Sequence, residues 1–92
     1  MKNYELMLII SPTIEEERNK TISNLKNILE KNAKIEKEDI WGERKLAYKI
    51  NKQDKGFYIL YYISVDGKKI LDMTKEINLD KNIFRHMFVK QN

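Results

Sequence analysis

The chain has 92 residues, room for one domain (1–92) built on a single two-layer core. It holds no cysteine and one histidine, His86, which excludes disulfide scaffolds, zinc–thiolate sites, iron–sulfur clusters and any two-histidine metal centre. Hydrophobic residues make up 41% and charged residues 35%, a balance that favours a folded, very soluble chain over disorder. No apolar run approaches the roughly 20 residues that span a bilayer, and the N-terminus lacks the pattern of a signal peptide. A cytoplasmic protein with no membrane association is expected.

The net charge of +4 is unevenly placed. Residues 1–45 carry nine basic and nine acidic side chains, whereas residues 46–92 carry nine basic and five acidic. A basic second half suits a polyanion partner. It equally suits a lysine-rich composition, since 15 of the 18 basic residues are lysine.

Residues 3–10 are predicted to form a strand apolar on both faces, ended by Ser11-Pro12 because proline cannot donate to a ladder. Thr13 and Glu16 have the spacing of a capping box, and Glu15 to Glu17 suit the positive end of a helix dipole. Ile14, Ile22, Leu25, Ile28 and Leu29 mark one face of a helix through about Lys31, with Asn32 as a left-handed terminator. Residues 34–51 read as a long irregular strand. Gly42 marks a bulge, and Leu46, Tyr48 and Ile50 share one face. Asn51 to Gly56 reads as a hairpin turn. Phe57 to Val65 carries the strongest strand signal, and Asp66-Gly67 turns it. Ile70, Met73, Thr74 and Ile77 give a second helix, and Ile83 to Val89 a last strand.

The order β-α-β-β-α-β predicts a ferredoxin-like α+β sandwich, a four-stranded antiparallel sheet with both helices on one face. That architecture hosts many functions, so the side chains must decide. Enzyme readings fail. Gly42, Gly56 and Gly67 are isolated turn residues rather than a phosphate loop, and one histidine with scattered serines makes no catalytic triad. Glu15 to Glu17 reads as a solvated helical turn before it reads as paired carboxylates. His86 reads as a sheet residue bonded to backbone. The first turn, Ser11-Pro12-Thr13, lacks the glycines and arginine of an acylphosphatase-type cradle. No catalytic residue, metal, cofactor or small-molecule substrate is expected.

Lys55 to Tyr62 resembles the octapeptide of RNA-recognition motifs, but Tyr58 stands where a small residue belongs and Ile59 where the second stacking aromatic belongs. Parity counts against that motif as well. The uniformly apolar set Phe57, Ile59, Tyr61 and Ile63 should face the helices, leaving Tyr58, Leu60 and Tyr62 on the open face with Met7, Ile9, Met87 and Val89. Such a patch reads as a partner surface or as a self-shielded sheet.

Trp41 to Ile50, Trp-Gly-Glu-Arg-Lys-Leu-Ala-Tyr-Lys-Ile, resembles the signature of the ribosomal protein S6 family of the bacterial small subunit, G-x-[RK]-x-L-A-Y-x-I. Tyr4-Glu5, Pro12, Gly56-Phe57-Tyr58 and Arg85-His86-Met87 fall in the matching order over nearly the whole chain. The resemblance implies the fold derived above. It also implies a non-enzymatic component of the 30S ribosome that binds the central domain of 16S ribosomal RNA as a heterodimer with ribosomal protein S18. The long C-terminal tail of some members is not expected, since the sequence ends at Gln91-Asn92.

Within that frame, Lys2, Tyr4, Arg44, Arg85 and Lys90 are the candidate RNA-binding residues. Lys2, Tyr4, Arg85 and Lys90 are expected to cluster where the first and last strands meet. Asp39, Ile40, Trp41, Lys45, Tyr48, Tyr58, Leu60 and Tyr62 are the candidate partner-binding residues, along the second-strand edge and the open face. Lys2, Tyr4, Lys90 and Trp41 also have structural readings, as strand-end or core residues. Leu46 and Ile50 are expected in the core. The alternative function is a protein–protein interaction module of the same fold.

Overall fold

The structure, a computed structural model, describes residues 1–50 and 52–91. The elements are β1 (Lys2–Ile10), α1 (Glu15–Asn32), β2 (Ala33–Ile50), β3 (Gln53–Val65), a short 3-10 turn (Gly67–Lys69), α2 (Ile70–Asn78) and β4 (Ile83–Lys90). The strands form one antiparallel sheet in the order β2-β3-β1-β4, so β2 and β4 are its edges. This is the ferredoxin-like sandwich expected from the chain order. Asn51, placed in the hairpin turn by the sequence reading, lies outside the described residues.

Strand alternation builds the core. Leu6, Leu8, Ile10, Ile59, Tyr61, Ile63 and Val65 point to the helices, where Leu25, Ile28, Leu29, Met73 and Ile77 meet them. The Tyr61 hydroxyl is taken into this layer and donates to Glu38 Oε2 at 2.7 Å, and Lys26 Nζ pairs with the same oxygen at 3.1 Å. Burial, then the Glu38 hydrogen bond and charge, push the Tyr61 pKa far above the ordinary phenol range.

Two helix ends differ from expectation. No capping box forms at α1: Ile14 is the N-cap without a side-chain cap, and the Thr13 hydroxyl points to its own neighbour's carbonyl. Instead the chain enters the helix through Arg18, whose backbone N–H bonds Ile14 O and whose guanidinium donates to Thr13 O while lying 4.4 Å from the Phe57 ring centroid. Ile14, expected on the buried face, is 69% exposed. The three glutamates do occupy the first turn. At the other end Asn32 is not left-handed, and the next residue, Ala33, is extended. Its side-chain amide donates to Ile28 O (2.9 Å) and to Glu76 Oε2 (3.2 Å), while Lys31 pairs with Glu76. The α1 end is thus tied to α2 by side chains, while the Ala33 backbone N–H bonds Leu29 O. The Lys31 hydrogen bond is the main cause of the lowered Glu76 pKa.

The long strand β2 carries two bulges where one was expected. Its register against β3 shifts between Ile35 and Lys37, again between Ile40 and Gly42, and a third time, over a longer stretch, between Lys45 and Ile50. At the second, Gly42 has φ +86°, a backbone region that disfavours any Cβ. Each bulge reverses which parity faces the helices.

Candidate RNA and partner interfaces

The second reversal decides where the signature residues go. Arg44 pairs opposite Gly56 and therefore stands on the open side of the sheet, as does Leu46 two residues on. Leu46 is only 7% exposed, yet it lies outside the helix-side core. It packs over Gly56 towards Ile9: a Cβ added at Gly56 would collide with Ile9 Cγ2 and stand 3.2 Å from Leu46 Cδ2. Leu46 is thus buried, as expected of a core residue, but on the open side of the sheet rather than between sheet and helices, while Ile50 is only half-buried and outside that core, which corrects the expectation for Ile50. Residues 46–49 have no ladder partner among the described residues, and Leu46, Ala47 and Tyr48 line a cleft of about 440 Å³ with Ile9, Ile50, Tyr58 and Arg85. The β2 end folds as a flap at one end of the open face.

The rest of that face matches the alternation argument. Met7 pairs with Leu60 and Met87, Ile9 with Tyr58 and Arg85, and Glu5 with Tyr62 and Val89. No helix covers these residues. Met87 is 59% and Val89 42% exposed, Tyr58 and Tyr62 are half-buried, and Leu60 is closed over by its neighbours. Lys37 Nζ stands 5.5 Å from the Tyr62 ring centroid at the β2 side of the face. Along the β2 edge Ile40 and Trp41 are exposed, and the indole N–H of Trp41 donates to Asp39 Oδ2 at 3.2 Å. Trp41 is the unpaired residue of the bulge and no core residue. Tyr48 is 77% exposed on the flap, and Lys45 is exposed opposite Lys55. Of the eight candidate partner residues, seven therefore present surface, and Leu60 is mainly a floor.

The basic candidates separate into two groups. Lys90 pairs opposite Tyr4, and Lys2 sits two residues before it in β1, so these three share one corner on the helix side. The Tyr4 ring packs edge-on against Phe88, with 6.4 Å between centroids. Arg85 does not join them. It pairs with Ile9 on the open side, five residues from Lys90, or about 17 Å along the strand. The expected four-residue cluster fails because residues 85 and 90 have opposite parity as well as different heights. Arg85 and Arg44 instead flank the flap end of the open face, with the Arg44 guanidinium donating to Glu43 O. His86, on the helix side opposite Leu8, packs edge-on against Phe88, and burial lowers its pKa.

Among the described residues no group of three or more His, Asp or Glu side chains could hold a metal ion. Among the same residues no helix is long and apolar enough to cross a membrane.

The strand order, the helices on one face and the apolar face left open define a ferredoxin-like α+β domain. The comparisons make this particular. A family model described as Ribosomal protein S6 matches residues 3–90. The chain is 41% identical to the small ribosomal subunit protein bS6 of Fusobacterium nucleatum, over 99% of both chains. It is 36% identical to the protein of the same name from Desulforamulus reducens, over 99% of this chain and 98% of that one. The crystal structure of 30S ribosomal protein S6 from Thermotoga maritima superposes with a TM-score of 0.89 at 32% identity, covering 98% of this chain and 87% of that one. The C-terminal domain of the MgtC protein from Mycobacterium tuberculosis shares the fold alone, with a TM-score of 0.63 at 8% identity. The chain belongs to the ribosomal protein S6 family, whose members are structural, non-enzymatic components of the small ribosomal subunit.

Proposed function

We propose that the protein binds the central domain of 16S ribosomal RNA within the cytoplasmic 30S subunit, together with ribosomal protein S18. The observation that carries the reading is the division of its surface. The Lys2–Tyr4–Lys90 corner and the Arg44–Arg85 pair offer cations and a phenol at two ends of the sheet. Between them lies the apolar face of Met7, Ile9, Tyr58, Tyr62, Met87 and Val89, with Ile40, Trp41 and Tyr48 exposed along β2 and the flap. Lysine and arginine neutralise phosphates and position an RNA backbone without reading its bases. The apolar face supplies the aromatic centre of a protein interface, with Asp39 and the arginines as its polar rim and Lys45 at the β2 edge beside it.

The test is a salt titration of binding to a central-domain 16S RNA fragment, with and without S18. Tight binding that requires S18 and falls with salt is expected. Arg85→Ala weakens complex formation while its unfolding curve stays that of the wild type, because Arg85 lies outside the core. A folded protein that binds neither RNA nor S18 overturns the reading and leaves an interaction module with another partner.

A further inference from the structure

We propose that the turn Gly67–Lys69 completes the phosphate-binding corner of Lys2, Tyr4 and Lys90, so that an RNA backbone crosses from the start of β1 onto this turn. The inference rests on the RNA-binding reading above and names residues of the same site. Its first support is the shape of the turn. The Asp66 side chain accepts from the Lys68 backbone N–H at 3.0 Å, and Asp66 O accepts from the Lys69 N–H at 2.8 Å. These bonds fold the chain back as it leaves β3, and they engage the Asp66 carboxylate at the backbone.

The second support is where the turn is placed. Gly67 lies beside Tyr4: a Cβ added there would stand 3.9 Å from the Tyr4 hydroxyl. Lys2 pairs opposite Val65, two residues before Gly67, and Lys90 pairs opposite Tyr4. Four exposed lysines, Lys2, Lys68, Lys69 and Lys90, therefore stand on the elements that meet at one phenol.

The third support is charge. Lys26, Lys31, Lys34 and Lys55 each pair with a glutamate, whereas none of the four corner lysines has a carboxylate partner among the described residues. Glu36, which shares a hollow with Tyr4, lies 3.9 Å from Lys34; Glu76, which lines a hollow with Lys69 and Asp72, pairs with Lys31; and Glu5 stands on the other side of the sheet. Unpaired ammonium groups around a hydroxyl donor suit the phosphodiester oxygens and ribose hydroxyls of RNA, in contacts that tolerate any base.

The test measures affinity of the full chain, with S18 present, for the central-domain RNA fragment over a range of salt. Lys68→Gln with Lys69→Gln is expected to weaken binding about tenfold and to flatten the log–log salt slope by about 1.4 to 1.8, the loss of two phosphate contacts. Lys20→Gln with Lys81→Gln removes the same charge from exposed positions at the other end of the molecule and is expected to match the wild type. If the Lys68/Lys69 variant also matches the wild type while Lys2→Gln with Lys90→Gln loses affinity, the turn is no part of the site and the inference fails alone. If the Lys2/Lys90 variant too binds like the wild type, or the wild type does not bind, the RNA-binding reading fails and the inference with it.

Discussion

The two faces of the sheet are made by the same strands, one residue apart, and they are different materials. On the helix side Leu6, Leu8, Ile10, Ile59 and Val65 have no exposed surface at all. On the open side their neighbours Met7, Ile9, Tyr58 and Tyr62 are almost as apolar yet keep part of their surface in solvent, with Met87 and Val89 frankly exposed. Hydrophobicity therefore does not separate core from surface in this protein; cover does. The helices complete one face, and the other is left for something outside the chain, held partly shut by the flap of β2.

Removing cover from the helix side is expected to have the largest effect. Leu25 is fully buried on α1, and Leu25→Ala should cost about 2–5 kcal/mol of unfolding free energy, measured by urea denaturation. A cost below about 1 kcal/mol would mean that the two faces are less different than their exposure says. Adding to the open side should cost less. Gly56→Ala places a methyl group against Ile9 and Leu46, and overpacking of this kind costs about 1–3 kcal/mol. The Leu46 side chain is the more easily displaced neighbour, so the variant should also loosen the flap, read as faster amide exchange over residues 45–50. Unchanged exchange there would mean that the flap does not depend on its seat over Gly56.

Most of this division was legible in the sequence. Period-two alternation in Phe57 to Ser64 assigned both faces of β3 correctly, and the pairing of β1 with β4 followed from the fold. The fate of Leu46 and Ile50 did not follow. One bulge at Gly42 carries the parity of Ile35 into Leu46 and points it to the helices. The bulge at Glu36, earlier in the strand, turns it away again. A trace of that bulge was available: Ile35 and Ile40 have opposite parity, yet they pair opposite Ile63 and Ile59 on one face. The cap at Thr13 was misread for a different reason. Its spacing is right, but Arg18 holds the entering chain from the Phe57 ring, a tertiary contact no local pattern contains. The corner at Tyr4 was half legible, since strand pairing places Lys90 there, while Lys68 and Lys69 arrive only through the fold of the turn.

The smallest expected effect separates the faces by pH. His86 is the one titratable side chain of β4 on the helix side near the core, and burial holds its pKa below the ordinary imidazole value. The unfolded chain therefore takes up a proton first as the pH falls through about 6.5. Between that point and the lower folded pKa the unfolded state binds more protons, so stability is full above it and declines as the solution becomes more acidic. His86 is partly exposed, which keeps the decline modest. In His86→Phe, which preserves an aromatic beside Phe88, the fall in Tm between about pH 7.5 and 5.5 should shrink. Arg85→Ala, one residue away but on the open side, should leave that fall as it is in the wild type. Equal pH dependence in the wild type and His86→Phe would show that the imidazole is as well hydrated in the folded protein as in the unfolded chain, and that the helix-side cover stops short of β4.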